Sequence, residues 1–456
     1  MAQKPSIPKG TRDFSPLEVQ RRQYIMKIIQ RHFELYGFMP IETPSFENSD
    51  TLMGKYGEEG DRLIFKILNS GEYLKKADPD LLETGKENQL TAQISEKALR
   101  YDLTVPFARY VVQNQNDISF PFKRYQMQNV WRADRPQKGR FREFTQCDAD
   151  VVGSNSLFQE VELVQLYDAV FTNLKLNACT IKINNRKVLA GIAEVMGAED
   201  KLIDFTVALD KLDKIGKQKV QEEMLSRGID QQAIDVLDPV FSLSGSYAEK
   251  IASMKELLHN SEIGLKGIEE LEFINTSITQ MPLKSAVLDL DITLARGLNY
   301  YTGCIFEVAA PEGVAMGSIG GGGRYDDLTG IFGLKDVSGV GISFGLDRIY
   351  LVMEQLGLFP DSVRAGVEVL FINFGMKEAQ YCSLWLSRFR ESGIKSELYP
   401  DAAKMKKQMS YADRNVIPYV IFAGEDEIAK GKLNLKNMVN GEQSLLTPEE
   451  IISKLS

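Results

Sequence analysis

Residues 122–150 of this chain read FKRYQMQNVWRADRPQKGRFREFTQCDAD. Seven of these residues are Lys or Arg, although the whole chain has a formal charge of -9. On both sides of the basic segment the sequence has the two-residue period of a strand: Phe122, Arg124 and Gln126 would point to one face, and Lys123 to the other. This pattern predicts two strands joined by a charged loop. Arginines held on a sheet present forked donors to phosphate, so the segment indicates a site for a phosphorylated ligand. The alternative is a solvated hairpin with surface ion pairs.

The composition predicts a globular chain with more than one domain. Its 456 residues are 43% hydrophobic and 26% charged, which is enough for two or three domains. The N-terminus has no apolar region of a signal peptide, and no run approaches the roughly 18 apolar residues of a membrane span. We therefore expect no membrane partner and a cytoplasmic location. The acidic balance argues against general coating of nucleic acid but allows a local basic patch that docks one folded RNA.

Cysteine and histidine are too few and too scattered for several kinds of chemistry. No two of the four cysteines have CxxC spacing, so neither a disulfide framework nor a zinc site is predicted. The two histidines, His32 and His259, lie near the ends of predicted helices, where surface or capping roles are expected. Triad hydrolases and zinc hydrolases thereby lose their usual base and ligands. Electrostatics and positioning must carry any reaction.

Hydrophobic periodicity outlines the rest of the chain. It predicts an amphipathic helix over 16–36, a strand over 39–47 that Pro44 interrupts, and a mostly exposed insertion over 69–98. Residues 98–112 are expected to begin as a strand or turn and to continue as a helix. From 186 to 282 the pattern is helical and charged, which indicates an inserted helical subdomain.

The β pattern returns after residue 285. It continues to about 311, and a strand running into a helix follows over 339–357. From 364 onward strands and helices alternate as in a small α/β domain.

Two further arginines and a glycine run extend the predicted site. Arg296 and Arg348 lie among apolar residues, where a charge is costly unless it meets an anion, so together with Arg132 they imply a buried polyanion. The run GSIGGGGRYDD, residues 317–327, does not match GxGxxG or Walker A, and it lacks the serines of a linker. Close approach of its backbone to a small ligand explains it better. The neighbouring Tyr300 and Tyr301 should face opposite sides of a strand, so at most one can contact that ligand.

Several motifs carry a resemblance to a known family. The first helix and the Pro44 strand resemble motif 1 of the class II aminoacyl-tRNA synthetases, WRAD with FTQCDAD resembles motif 2, and GISFGLDR resembles motif 3. PKGTRDF, ALRYDLTVPFARY, ARGLNYYTGCIFE and GGGGRYDDL resemble the histidyl-tRNA synthetases, and the tail resembles their anticodon-binding domain. The match covers nearly the whole chain.

The resemblance implies an α+β fold. We expect the class II synthetase sheet, mixed and mainly antiparallel with flanking helices, a helical insertion, and a C-terminal α/β anticodon-binding domain. The implied segments are 1–185 for the first part of the catalytic core, 186–284 for the helical insertion, 285–358 for the second part and 364–456 for the anticodon-binding domain.

The resemblance also implies a nucleotide-binding set of residues. Arg132 would bind the α-phosphate of ATP, Arg140 and Arg348 the β/γ end, and Phe144 would stack on adenine. Arg296 would bridge the histidine carboxylate and the α-phosphate, so Arg296 and Arg132 are the implied catalytic pair.

A second implied set would bind histidine. Asp102, Thr104 and Gln146 would hold the α-amino group, while Asp150 and Tyr301 would bind the two imidazole nitrogens, with Tyr300 beside them. A carboxylate and a phenol suit the two ring nitrogens because imidazole presents a donor and an acceptor at fixed separation.

The implied reaction is ATP-dependent ligation of histidine to its tRNA through a histidyl-adenylate. ATP with Mg²⁺, tRNA(His) and a second copy of the chain, joined through motif 1, are the implied cofactors and partners, with no metal held by protein clusters alone. Arg135 and Lys138, at the loop tip, are left for the tRNA acceptor end. One departure from motif 2 is Asp134, where Glu is usual.

Three alternatives are less consistent with these motifs. A synthetase-like regulatory subunit of ATP phosphoribosyltransferase would lack the tail and the ATP arginines. A synthetase for another amino acid would lack ARGLNYYTG and the pair Gln146 and Asp150. A plain RNA-binding or scaffold protein would have no use for arginines in apolar strands.

Overall fold

The computed structural model describes residues 4–75, 77–83, 86–295, 300–363 and 366–456. The chain divides into two compact units, of which the larger holds Arg21–Pro360 with the residues up to Asp13, and the smaller holds Phe14–Gln20 with Asp361–Ser456.

The helices of the described residues are, in chain order, α1 (Pro16–Leu35), α2 (Ser49–Leu52), α3 (Gly57–Arg62), α4 (Pro79–Glu83), α5 (Glu87–Ile94), α6 (Thr104–Gln113), α7 (Phe158–Leu174), α8 (Arg186–Val195), α9 (Leu202–Leu209), α10 (Leu212–Ser226), α11 (Gln231–Asp235), α12 (Asp238–Phe241), α13 (Tyr247–Leu257), α14 (Glu262–Gln280), α15 (Leu346–Gln355), α16 (Met376–Glu391), α17 (Met405–Arg414), α18 (Glu425–Ala429) and α19 (Pro448–Leu455). The strands are β1 (Met39–Pro40), β2 (Phe46–Asn48), β3 (Lys66–Ile67), β4 (Lys97–Leu99), β5 (Phe122–Trp131), β6 (Glu143–Val152), β7 (Cys179–Asn185), β8 (Ala286–Leu290), β9 (Cys304–Ala309), β10 (Gly320–Tyr325), β11 (Gly339–Gly345), β12 (Val369–Phe371), β13 (Ser396–Leu398), β14 (Tyr419–Phe422), β15 (Leu433–Asn437) and β16 (Gln443–Leu446). No helix among these is both long enough and apolar enough to cross a membrane.

An eight-stranded sheet forms the centre of the larger unit, in the order β1-β5-β6-β11-β10-β9-β7-β8. Only the outermost pairs, β1 with β5 and β7 with β8, are parallel, and the inner pairs are antiparallel. The predicted mixed, mainly antiparallel sheet is therefore confirmed. The predicted hairpin is also confirmed, because β5 and β6 pair over ten residues on either side of the basic loop.

Alternation along β11 separates the core from the polar face of this sheet. Phe344 is fully buried and meets the rings of Phe33 in α1 and Tyr167 in α7 at centroid distances of 5.8 and 4.8 Å. Its neighbour Ser343 points to the other face, because successive side chains of a strand alternate. Burial of one such aromatic ring contributes about 1.5–3 kcal/mol to the stability of the folded state. The helices thus cover one face and leave the other available for a site.

The predicted helical insertion lies between β7 and β8, where helices α8 to α14 follow one another. The predicted insertion over 69–98 is mostly exposed in its described residues. Its last residues belong to strand β4, which is the middle strand of a small sheet with the order β2-β4-β3. The division of the larger unit at 185, 284 and 358 stays a prediction.

The smaller unit has its own five-stranded sheet, in the order β13-β12-β14-β15-β16. Buried apolar residues of this unit, such as Phe371 and Phe389, pack edge to face at 5.2 Å. The predicted alternation of strands and helices is confirmed here. The predicted boundary at 364 lies outside the described residues.

Three details differ from the sequence-based expectations. The predicted continuous strand pattern over 286–311 is wrong, since β8 ends at Leu290, β9 begins at Cys304, and Tyr300 lies in a turn. The glycine run, for which no secondary-structure element was predicted, contains the inner strand β10. His32 is only 9% exposed rather than a surface residue, and burial lowers its pKa.

Candidate active site

The hairpin β5–β6 and strand β11 place a row of polar side chains on one face of the sheet. Residues directly opposite on antiparallel strands point to the same face. Arg124 pairs with Asp150, and Gln126 pairs with Asp148, which in turn lies opposite Ser343. The alternation that predicted the hairpin therefore also selects which side chains meet.

Glycines on the next strands keep this face open. A Cβ atom on Gly341 would lie 1.9 Å from Asp150 Oδ1, and one on Gly323 would lie 2.7 Å from Tyr301 Cδ1. Any side chain at these positions would displace the carboxylate or the ring. The glycine run was predicted to allow close approach to a ligand, and the structure adds that Gly323 of this run makes room for the Tyr301 ring, while Gly341 on β11 makes room for the Asp150 carboxylate.

A cavity of about 340 Å³ opens on this face. The residues predicted to bind the amino acid and described by the structure all line it, namely Asp102, Thr104, Gln146, Asp150, Tyr300 and Tyr301. We call it the amino-acid cavity. Arg296, predicted to act here, lies outside the described residues. The prediction that Tyr300 and Tyr301 face opposite sides is wrong, because both line this cavity with ring centroids 4.8 Å apart.

Asp102 precedes helix α6 and is held by three donors. Its Oδ1 accepts from Tyr56 Oη at 2.9 Å and from the Val105 amide at 3.1 Å, and its Oδ2 accepts from Tyr300 Oη at 3.3 Å. Burial raises the pKa of Asp102, and these hydrogen bonds oppose that effect. The carboxylate is thus oriented into the cavity and suited to a cationic group.

Asp150 lines the cavity and has two partners that the sequence did not reveal. Its Oδ1 accepts from Tyr325 Oη at 2.6 Å, and its Oδ2 lies 2.8 Å from Arg124 Nη2. Burial raises the pKa of Asp150, and the Arg124 guanidinium opposes the shift. The interpretation of Arg124 as part of the phosphate-binding charge is wrong, since this fully buried arginine pairs with Asp150 and lies over the Phe107 ring.

A second cavity of about 270 Å³ adjoins the first. It contains the four residues predicted to bind ATP, Arg132, Arg140, Phe144 and Arg348. We call it the nucleotide cavity. Together these side chains provide three guanidinium groups and one aromatic face, which suit a triphosphate and a base.

Arg132 and Gln146 connect the two cavities, since both line each of them. Arg132 Nε donates to the Tyr101 carbonyl at 3.0 Å, and Nη2 donates to Gln146 Oε1 at 3.4 Å. The guanidinium also lies over the Tyr101 and Phe144 rings, 4.3 and 5.2 Å from their centroids. Arg132 is thereby held where a carboxylate from one cavity and a phosphate from the other could meet.

Arg348 holds the far end of the nucleotide cavity. At the start of α15, its Nε donates to the Gly139 carbonyl at 2.8 Å and its Nη1 to the Ser318 carbonyl at 2.5 Å. These bonds attach the tip of the charged loop to the segment before β10. The neighbouring Asp347 is paired with the guanidinium groups of Arg12 and Arg22, which braces the cavity wall.

The rim of the nucleotide cavity is polar and exposed. Arg140 is half exposed, with Nε 3.7 Å from Asp134 Oδ2. Arg135 and Lys138, predicted for a nucleic-acid end, are both exposed on the same loop. The structure therefore leaves their charge accessible to solvent.

Sequence reasoning missed Arg124, Asp148, Tyr325 and Tyr56, which also belong to the amino-acid cavity or pair with its residues. The period-2 pattern of FKRYQMQ and FTQCDAD could have pointed to Arg124 and Asp148, because they share a face with Gln146 and Asp150. Tyr56 and Tyr325 come from distant parts of the chain, and no local pattern indicated them.

Magnesium is the metal ion that a nucleotide-dependent site implies. Among the described residues no cluster of three carboxylate, cysteine or histidine side chains could hold a metal ion by itself. Asp134 and Glu307 do line both cavities, and Mg²⁺ needs only one or two carboxylates when phosphates supply the other oxygens. The donor set therefore fits a magnesium ion that arrives with a nucleotide.

Comparisons with known proteins agree over the length of the chain. Residues 83–349 match the family model described as histidyl-tRNA synthetase, and residues 368–456 match the anticodon binding domain. A protein named histidine–tRNA ligase from Christiangramia forsetii is 70% identical, with 98% of each chain covered. One of the same name from Flavobacterium johnsoniae is 65% identical, with 97% of each covered.

Solved structures agree with this assignment. The histidyl-tRNA synthetase of Nostoc sp. PCC 7120 superposes with a TM-score of 0.83 and 30% identity, covering 100% of both chains. The fold is shared by an ATP phosphoribosyltransferase regulatory subunit/histidyl-tRNA synthetase from Bacillus halodurans. That structure superposes with a TM-score of 0.72 and 20% identity, covering 92% of this chain and 99% of its own. The site geometry and these matches together place the chain in the histidyl-tRNA synthetase family.

Proposed function

We propose that this chain activates histidine with ATP and transfers the histidyl group to the 3′ end of tRNA. The observation that carries the proposal is the junction of the two cavities. An acidic cavity with aromatic hydroxyls adjoins a cavity with three arginines, and Arg132 and Gln146 line both. A zwitterionic amino acid and a triphosphate require this distribution of charge.

Histidine occupies the amino-acid cavity in this proposal. Its ammonium group binds Asp102, Thr104 and Gln146, and its imidazole lies between Asp150 and Tyr301, with Tyr300 completing the wall. These buried groups lose their partners if an amino acid without ring nitrogens enters, and unpaired buried polar groups are what reject a wrong substrate.

ATP occupies the nucleotide cavity. Phe144 stacks on adenine, Arg132 binds the α-phosphate, and Arg140 and Arg348 bind the β/γ end. The histidine carboxylate attacks the α-phosphorus in line and pyrophosphate leaves, so positioning and neutralisation of charge are the main tasks of the protein. A bound Mg²⁺ would neutralise additional phosphate charge at Asp134 and Glu307.

Arg296 completes the set as the predicted bridge between the histidine carboxylate and the α-phosphate. Its role rests on the resemblance of ARGLNYYTG to the family motif. Together with Arg132 it would stabilise the negative charge that develops on the phosphorus during adenylate formation.

The tRNA contacts this protein at two places in the proposal. The exposed Arg135 and Lys138 contact phosphates of the acceptor end, and the domain over 364–456 reads the anticodon. Phosphate contacts of this type position the RNA without reading its sequence. Since the substrate is tRNA for translation, we place the reaction in the cytoplasm.

A homodimer is the proposed assembly. Motif 1 contains the edge strand β1, and exposed apolar side chains lie near it in the sequence, with Leu35 67%, Met39 52% and Phe46 49% exposed. Exposed apolar groups of this kind mark interfaces. Light scattering that gives the monomer mass at micromolar concentration would contradict this assembly.

The regulatory-subunit alternative is not favoured. The chain retains the arginines of the nucleotide cavity, and it retains the domain over 368–456 that matches the anticodon-binding family.

The deciding experiment is ATP–pyrophosphate exchange measured with each of the twenty amino acids in turn. Histidine should stimulate exchange far above the others, because only its side chain satisfies Asp150 and Tyr301 together. Exchange that another amino acid stimulates better, or that histidine does not stimulate, would overturn the proposed function.

A further inference from the structure

The motif PKGTRDF, which begins at Pro8, has no part in the proposed contacts with the substrates. Its first residues form a tight turn, in which the Thr11 amide donates to the Pro8 carbonyl at 3.1 Å and Gly10 adopts a φ of +88°. A φ of this size favours glycine, as at the third position of a type II turn. Residues 4–9 are exposed, so polar contacts rather than burial hold this turn in place. We call residues 8–12 the N-terminal turn.

The N-terminal turn contacts the base of the charged loop, residues 132–142. Arg142 lies in a bend just before β6, where its carbonyl accepts from the Arg132 amide and its own amide donates to the Gly10 carbonyl, both at 2.9 Å. A Cβ on Gly10 would lie 2.8 Å from Arg142 Cγ and 2.9 Å from Pro136 Cγ, so the turn and the loop are packed closely. Two consecutive hydrogen bonds thus connect the turn to Arg132.

The Arg142 side chain strengthens this connection. Its Nε donates to the Asp134 carbonyl at 3.2 Å within the loop, and its Nη1 donates to the Lys9 carbonyl at 3.4 Å in the N-terminal turn. Arg142 was counted with the basic residues of the loop, but its guanidinium binds backbone oxygens of both segments. It therefore holds the loop and the turn together.

Arg12 connects the same turn to the wall of the nucleotide cavity. Its Nη2 donates to Asp347 Oδ1 at 2.5 Å, and its guanidinium lies over the Phe141 ring, 3.2 Å from the centroid. Asp347 and Phe141 both line the nucleotide cavity. Arg22 is a second cation on the same Asp347 oxygen. Replacing Arg12 by alanine should therefore leave Asp347 paired and remove the cover of the Phe141 ring.

We infer that the N-terminal turn is a positioning element of the nucleotide cavity, with Arg12 and Gly10 as its positioning residues. The turn holds the charged loop at its base, while Arg348 holds the loop near its tip. Arg132 and Arg140 belong to this loop, so their guanidinium groups are kept at the cavity before a nucleotide arrives. Preorganisation of this kind lowers the ordering cost of binding. This role rests on the proposed function, which makes that nucleotide ATP.

The first measurement is hydrogen–deuterium exchange of the full chain without ligands, followed in the peptide that covers residues 132–142. Arg12→Ala should speed deuterium uptake there at least roughly tenfold, because the amides bonded across the base of the loop then open more often. Arg12→Lys should restore part of the protection, since it keeps the charge but lacks the flat guanidinium that stacks on Phe141.

Arg21→Ala is the matched control. Arg21 also pairs with a carboxylate of α15, that of Glu354, and lies over an aromatic ring, that of Phe359, 4.8 Å from the centroid. Its side chain is 27% exposed, against 25% for Arg12, but none of these three described residues lines the nucleotide cavity. Arg21→Ala should therefore leave deuterium uptake of the loop peptide as in wild type.

The second measurement is the steady-state kinetics of pyrophosphate exchange by the same variants. In Arg12→Ala the KM for ATP should rise at least roughly fivefold, because ATP must then order the loop as it binds, and the KM for histidine should change less than about twofold. Gly10→Ala should give the same pattern, since its methyl group displaces the loop sterically. Arg12→Ala should keep the urea midpoint of wild type.

Three outcomes would overturn the inference. The first is wild-type deuterium uptake by the loop peptide in both Arg12→Ala and Gly10→Ala. The second is faster uptake that extends equally through the central sheet, which would show a general loss of stability. The third is faster uptake by the loop with an unchanged KM for ATP. If wild type shows no histidine-dependent pyrophosphate exchange, the proposed function fails, and deuterium uptake alone still decides whether the turn holds the loop.

Discussion

Arg124 and Asp150 face each other across β5 and β6 beside the amino-acid cavity, with Nη2 2.8 Å from Oδ2 and both side chains almost fully buried. The pair fixes the orientation of Asp150, which also accepts from Tyr325. Removing one partner of such a pair leaves an uncompensated buried charge.

Arg124→Met should therefore destabilise the protein strongly. We expect a loss of about 3–5 kcal/mol in the free energy of unfolding, measured by urea titration at neutral pH. The neighbouring Lys123→Met is the matched control, because its ion pair with Glu162 is partly exposed and should contribute less than about 1 kcal/mol. Similar losses for both variants would contradict the importance of the buried pair.

Gly341→Ala should impair histidine binding more than ATP binding. The new Cβ would lie 1.9 Å from Asp150 Oδ1, so the carboxylate must move away from its position at the cavity end. We expect the KM for histidine to rise at least roughly tenfold, since a misplaced charged hydrogen bond costs about 1.5–3 kcal/mol. Pyrophosphate-exchange kinetics measure both constants. An unchanged KM for histidine in a folded variant would show that the carboxylate position is not critical.

Arg348→Ala should impair the nucleotide side instead. Its guanidinium donates hydrogen bonds to the backbone carbonyls of Gly139 and Ser318. In our proposal it also contacts the β/γ end of ATP. We expect the KM for ATP to rise at least roughly tenfold with little change in histidine affinity, and Arg348→Lys to recover only part, because an ammonium cannot reproduce the fork. The control is Arg21→Ala, which removes an exposed ion pair between Arg21 and Glu354, a residue of the same helix α15 as Arg348. An equal effect of both alanine variants on ATP would argue against the assigned role.

Arg296→Ala should abolish adenylate formation while histidine binding remains measurable. The expectation follows from the proposed bridge between carboxylate and α-phosphate, which forms only as the two reactants meet. Single-turnover formation of adenylate and calorimetric binding of histidine separate the two effects. Exchange at the wild-type rate would refute the role of Arg296.

Stability of the ligand-free protein should fall as the pH rises from about 4 to about 7. The folded pKa of Asp148 is raised from 3.8 to about 7, so its contribution is present below the unfolded pKa and is lost as the pH rises through the folded value. The pKa values of Asp102 and Asp150 are raised too, which acts in the same direction. Asp148→Asn should unfold at higher urea concentration than wild type at pH 8 and show a smaller dependence on pH. A stability that rises over this range would contradict the assignment.

The residues predicted for the nucleotide site were chosen from local patterns, and the structure brings them together in one cavity. Arg132, Arg140 and Phe144 lie on one hairpin, and Arg348 begins the helix after β11, so short motifs contain the nucleotide set. The outcome for the tyrosines was different. The apolar neighbours of Tyr300 and Tyr301 predicted a strand, but both residues lie outside the strands, and both rings line the same cavity.

The alternation of β5 and β6, the position of the basic loop and the alternating strands and helices after residue 364 could be predicted from the sequence, because they follow from periodicity and from residues close together in the chain. Three contacts became visible in the folded chain alone: Arg124 pairs with Asp150 rather than with a phosphate, Tyr56 and Tyr325 donate to Asp102 and Asp150, and Asp148 lines the same cavity. The physical reason is that the state of a buried charge depends on its partners across strands and loops, and those partners are distant in sequence.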